Sequence, residues 1–179
     1  MEPQSLTNFL SWKPPNLTPI IDKGILYEGS KAILYGRYKS LKSMIALDFS
    51  MKLMQGKPWI GFKTPEEGQT VLHLQLEIAH PLLHKRVVPM ARETTPKKDV
   101  YFWTEHYMKL DDSVGFNQLH EQLEKIRPNV LVIDPVYKII KGNPLDAHAV
   151  QLLFDNLDKL IAEYNLAILL ISHTRKGAY

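Results

Sequence analysis

Apolar residues recur along this chain in two alternating rhythms. Short apolar runs occur at Ala32-Ile33-Leu34-Tyr35, Val100 to Trp103, Val130 to Ile133 and Ala167 to Ile171 and predict strands, while Val71 to Leu76 alternates and reads as a half-covered strand ending at Glu77. Between them the period lengthens. Lys42 to Gln55 is apolar nearly all round, through Met44, Ile45, Ala46, Leu47 and Phe49 to Met54, which predicts a largely buried helix stopped by Gly56. His80 to about Arg92 carries Leu83, Val87 and Met90 at helical spacing, with Pro89 expected to end or kink the helix. Phe116, Leu119, Leu123 and Ile126 mark an amphipathic helix capped by Asp112 or Ser113. Val150, Leu153, Leu157, Leu160 and Ile161 line one stripe of the clearest helix.

Apolar strands alternating with helices predict an α/β fold, with a mainly parallel central sheet and helices on both faces. Residues 1–30 show no sustained period and read as a lead-in packed on a core of 31–179. Lys57 to Gly68 reads as a loop that tucks Trp59, Ile60 and Phe62 against that core. In such sheets ligands bind beyond the carboxyl ends of the strands. Gly36, Glu77, Asp134 and Ser172-His173 all stand at those ends, although they are far apart in sequence.

Composition narrows the picture mainly by exclusion. With 179 residues, 45% hydrophobic and 23% charged, the chain suits one folded domain and not a disordered one. A formal charge of +3 is too small to argue for a nucleic-acid partner by itself. The absence of cysteine removes disulfides, thiolate nucleophiles and cysteine-type zinc sites. No apolar stretch approaches the roughly 20 residues that span a bilayer and no leader pattern opens the chain, so the expectation is a cytoplasmic protein without a membrane partner.

The chemistry concentrates in Gly36-Arg37-Tyr38-Lys39-Ser40-Leu41-Lys42-Ser43, between the first strand and its helix. The spacing matches G-x-x-x-x-G-K-[ST] except that Leu41 takes the place of the second glycine. Such a loop turns backbone N–H groups toward phosphate oxygens, while its lysine reaches the terminal phosphates and its hydroxyl meets Mg2+. Asp134, after Val130 to Ile133, suits a carboxylate that helps hold Mg2+. Glu77 suits a group that orients or deprotonates water, and equally a carboxylate opening the His80 helix.

The runs GSKAILYGRYKSLKSMIALDFSMKLMQGKPWIGF, GQTVLHLQLEIAHPLLHKRV, NVLVIDPV and LLISHTRKG resemble the RecA-like ATPases of the RepA and DnaB replicative-helicase group, especially the RepA-like branch, over about Leu17 to Gly177. The resemblance implies a RecA-like P-loop NTPase fold that holds ATP on Gly36, Arg37, Tyr38, Lys39, Ser40, Leu41, Lys42, Ser43 and Met44. It implies Lys42 on the β- and γ-phosphates, Ser43 and Asp134 on Mg2+, Glu77 as catalytic carboxylate and His173 as γ-phosphate sensor. Arg175 and Lys176 match the basic pair with which one subunit of a homo-oligomeric ring completes its neighbour's site; a solvated tail is the other reading. Lys138, Lys141, Arg175 and Lys176 become candidate contacts to single-stranded DNA, and Tyr137 reads as a packing residue. The implied function is Mg-dependent ATP hydrolysis as the motor domain of a DNA replication helicase. A recombination or mediator ATPase that does not unwind, and a nucleotide-binding scaffold that does not hydrolyse, remain as alternatives. Similar proteins continue past the end of this sequence, which implies a C-terminally truncated core.

Overall fold

The computed structural model describes residues 2–143 and 146–173. Arg175 and Lys176 therefore lie outside the described residues. Five parallel strands form the central sheet: β3 (Lys31–Gly36), β4 (Val71–Gln75), β5 (Val100–Thr104), β6 (Val130–Asp134) and β7 (Ala167–His173), in the spatial order β3-β7-β6-β4-β5. A small antiparallel pair, β1 (Pro19–Ile21) and β2 (Leu26–Tyr27), precedes them.

Successive residues of a strand point to opposite faces, so an apolar run needs cover on both sides. In β6 the odd and even positions separate cleanly. Val130 and Val132 join a cluster with Ala46, Phe49 and Leu53 of α2 (Lys42–Gln55) and with Ile20, Ile21 and Leu26 of the β1–β2 pair. Leu131 and Ile133 join the opposite cluster with Leu119 and Leu123 of α4 (Ser113–Ile126) and Leu153, Leu157 and Leu160 of α5 (Ala147–Tyr164). The expected parallel sheet with helices on both faces is present.

Local signals account for most of the boundaries. Gly56 ends α2 at φ 65°, where its N–H donates back to the Leu53 carbonyl. Of the two residues considered for the start of α4, Asp112 is the cap, its carboxylate accepting from the Val114 N–H. At Pro89, where the sequence predicts an end or a kink, helix α3 (His80–Ala91) does not end. Only Leu83 of this surface helix is buried, so little packing opposes continuation. Two details depart from the sequence reading. Ile60 is exposed, at φ 48° in a tight turn, while Trp59 beside it is buried on Phe49. The lead-in contains a helix, α1 (Leu6–Ser11), none of whose residues is buried, ahead of the hairpin that enters the core. Among the described residues no helix is long and apolar enough to cross a membrane.

Candidate active site

Parallel register assembles the site. Gly36 lies level with His173 across β3 and β7, and Gln75 lies level with Asp134 across β4 and β6. The carboxyl ends of four strands thereby form one row. A cavity of about 530 Å³ opens over it, lined by residues 38–44, Gln75, Glu77, Ile78, Arg86 and His173.

One wall is the loop between β3 and α2. Lys42 opens the helix and is buried, its ammonium donating to the carbonyls of Gly36 at 2.8 Å and Arg37 at 2.6 Å and to Ser40 Oγ at 3.2 Å. All three of its donors are thus spent inside its own loop. Burial pulls the Lys42 pKa below its ordinary value, against the pull of the Asp134 carboxylate. Gly36 allows this fold-back, because a Cβ there would stand 3.2 Å from Ser40 Oγ and 3.6 Å from Lys42 Cδ. Lys39 and Leu41 both take left-handed backbone, at φ 63° and φ 60°. The replaced glycine therefore has a conformational meaning: the loop needs a positive φ at position 41, and leucine adopts it at a cost. The Leu41 side chain is 68% exposed, so it sits at the mouth of the cavity and does not fill it.

The facing wall is built from strand ends. Asp134 is fully buried. Its Oδ2 accepts from Gln75 Nε2 at 3.0 Å, whereas Oδ1 has no hydrogen-bond partner. Burial pushes the Asp134 carboxyl above the usual carboxylate range; the nearby Ser43 hydroxyl and the Gln75 amide hold it back. A buried carboxylate oxygen without a partner beside a hydroxyl is a hard-oxygen donor pair that fits a divalent cation such as Mg2+. Gln75 also uses its other end, Oε1 accepting from the Glu77 N–H at 2.9 Å. This single buried side chain links the carboxylate of one strand end to the backbone of the next.

Glu77 stands beyond β4 with its Oε1 accepting from the Tyr137 hydroxyl at 3.1 Å and its Oε2 4.0 Å from His173 Nε2. Both His173 ring nitrogens are buried without a hydrogen-bond partner, and the rings of Tyr38 and Tyr137 each approach the imidazole at 5.9 Å. The structure thus brings the loop residues, Glu77, Asp134 and His173 together. Ser172, one residue earlier on β7, faces a separate apolar groove. Lys138 belongs to the short 3-10 helix Val136–Ile139, and Lys141 follows it and pairs with Asp112 at 3.1 Å.

Sequence reasoning missed three residues here. Gln75 was hidden as one polar position in an apolar strand, and Tyr137 had only a packing role. Arg86, which reads as a solvated helix residue, lines the cavity from α3. Only the parallel register and the placement of α3 bring these side chains to the site.

Over residues 1–179 the chain matches a protein family described as the AAA domain. No curated protein matches the sequence at a significant level. Among solved structures, a KaiC-like protein from the hyperthermophilic archaeon Pyrococcus horikoshii OT3 superposes with a TM-score of 0.58 at 17% sequence identity, covering 87% of this chain. The chain spans 65% of the length of that protein.

Proposed function

Because the chain belongs to the AAA domain family and folds as a RecA-like P-loop ATPase domain, we propose that it binds and hydrolyses ATP with Mg2+ as the motor domain of a RepA-like DNA replication helicase. The observation that carries the reading is one cavity. Its walls hold the phosphate-type loop, Glu77 and His173, and behind Ser43 lies the unpartnered oxygen of Asp134.

In this reading the triphosphate displaces the carbonyls that now hold Lys42, and the ammonium transfers to the β- and γ-phosphate oxygens. Backbone N–H groups of Ser43 and Met44 at the start of α2 meet the same oxygens. Ser43 and Asp134 hold Mg2+, which when bound neutralises phosphate charge. Glu77 orients a water in line with the γ-phosphorus and accepts its proton as the bond to the β–γ bridging oxygen breaks, leaving ADP and phosphate. A His173 ring nitrogen, unpaired in the protein alone, donates to the γ-phosphate. Arg175 and Lys176, outside the described residues, are proposed to reach a neighbouring subunit's site in a ring. Lys138 and Lys141 are the described candidates for single-stranded DNA, and Lys141 must leave Asp112 to serve.

Phosphate release is the test, measured at high protein concentration with and without single-stranded DNA. Glu77→Gln should retain ATP binding and lose turnover by about a hundredfold or more. Intact turnover in that variant would remove Glu77 from the mechanism, and absence of ATP-dependent release in the native chain would remove hydrolysis. Displacement of a forked duplex separates the helicase from a recombination or mediator ATPase, which would hydrolyse without unwinding.

A further inference from the structure

The Glu77 carboxylate already holds a hydrogen bond that fixes its orientation. One carboxylate oxygen accepts from the Tyr137 hydroxyl at 3.1 Å, and the other lies 4.0 Å from His173 Nε2, beyond hydrogen-bond distance. Tyr137 belongs to the 3-10 helix that follows β6, and its ring lies edge-on against the His173 imidazole at 63°. A single phenol therefore touches both the proposed water-directing carboxylate and the proposed phosphate sensor. A hydrogen bond donated to a carboxylate occupies a lone pair and reduces the oxygen's ability to accept a proton from water.

Two further observations give this contact a direction. Tyr137 also borders a groove of about 430 Å³ on the other side of the sheet's end, lined by apolar residues such as Ile33, Ile140, Val150 and Phe154 and shared only at His173 with the phosphate-side cavity. The ring has an apolar place to go when it leaves Glu77. The 3-10 helix is in turn tied to the preceding loop, since the Leu110 N–H donates to the Ile139 carbonyl at 2.8 Å and the Lys141 N–H to the Asp111 carboxylate at 2.9 Å. Displacement of that loop and helix is a route by which Tyr137 can be drawn off the carboxylate.

We propose that Tyr137 is a positioning residue that restrains Glu77, holding its carboxylate on the wall of the site until the 3-10 helix moves. The inference rests on the reading of Glu77 as the group that directs water. Burial and the neighbouring Glu77 push the Tyr137 phenol up to about 12, so the hydroxyl stays a donor throughout the neutral range.

Tyr137→Phe removes the hydroxyl and keeps the ring on His173. Steady-state phosphate release should show kcat raised about fivefold with KM for ATP within twofold, the size expected for loss of one partly exposed hydrogen bond to a charged acceptor. Circular dichroism on the same samples reports whether the variant is folded, and Tyr137→Trp, which also lacks the phenol and fills the groove side, should raise kcat in the same direction. A kcat that is unchanged or lowered in a folded variant overturns the restraint, and so does a change confined to KM. Nucleotide titration of the native chain keeps the two levels apart. If ATP binds but is not hydrolysed, turnover gained by Tyr137→Phe supports the restraint and continued inactivity overturns it; if ATP does not bind, the reading beneath both fails.

Discussion

On the strand-end side of the cavity, Gln75 is buried with both ends of its amide used, one on Asp134 and one on the Glu77 backbone. On the loop side, two non-glycine residues with positive φ, Lys39 and Leu41, precede a lysine whose hydrogen bonds go to its own loop. The first wall is held by the pairing of parallel strands and is in place before any ligand arrives. The second satisfies itself internally, and under the proposed function it would exchange those bonds for phosphate. Pre-formed carboxylates and an adaptable loop would then divide the labour, one wall controlling the rate of chemistry and the other the affinity for nucleotide.

Breaking the rigid wall should have the largest effect. Gln75→Leu removes the amide that donates to Asp134 Oδ2 and releases the Glu77 N–H. Residues that orient metal-binding carboxylates typically cost about 10- to 100-fold in activity when removed, and kcat should fall in that range. Stability should drop by about 1–3 kcal/mol for the hydrogen bond lost to the buried carboxylate, read from denaturant melts. Nucleotide affinity measured in EDTA should change less than twofold, because the loop is untouched. An unchanged kcat would show that register alone, without the amide, positions Glu77.

The rigid wall was also the more legible one. Glu77, Asp134 and His173 follow apolar strand runs, so an alternating pattern placed them at the same edge without coordinates. Gln75 could not be found that way: its role depends on lying level with Asp134, a register that no local pattern encodes. Tyr137 follows a strand end too, but its contact with Glu77 depends on how the 3-10 helix turns. In the loop the departure at Leu41 was visible as a spacing defect, whereas its physical content is a left-handed backbone. The β1–β2 pair escaped notice because strands of three and two residues are too short to show a period. Helix α1 escaped because a six-residue helix with no buried residue has no core-facing stripe.

His73 joins the two walls and supplies a sharper test of how firmly they are coupled. It sits on β4 two residues before Gln75, fully buried, with Nδ1 2.9 Å from Ser50 Oγ on the helix that carries the loop. The Ser50 hydroxyl also lies 3.1 Å from the Ala46 carbonyl, and the buried His73 Nε2 has no hydrogen-bond partner. Burial lowers the His73 pKa from 6.5 to about 3. Below pH 6.5 the unfolded chain takes up a proton that the folded chain refuses, so this residue's contribution is complete above 6.5 and is lost as acid is added toward 3. The loss approaches about 1.4 kcal/mol per pH unit inside that window. His73→Gln keeps a polar partner for Ser50 and cannot titrate. Melts between pH 7 and 4 should show a shallower acid slope for the variant, and parallel slopes would refute the assignment.

The smallest effect is expected from relaxing the loop. Leucine at φ 60° pays about 1–2 kcal/mol for left-handed backbone, and glycine returns part of that gain through its more mobile unfolded state, so Leu41→Gly should stabilise the domain by about 0.5–1 kcal/mol. Removing the side chain from the cavity mouth lets backbone approach phosphate more closely, and ATP affinity should rise about two- to fivefold while kcat at saturation stays level. The two measurements separate the two meanings of the missing glycine. A gain in stability without a gain in affinity makes Leu41 a conformational cost that leaves the cradle intact, and the loop binds phosphate as well with leucine as with glycine. A gain in affinity with kcat unchanged confirms that this wall sets binding and leaves chemistry to the other. A rise in kcat would undo the division, because the loop would then be controlling the geometry around Glu77 as well.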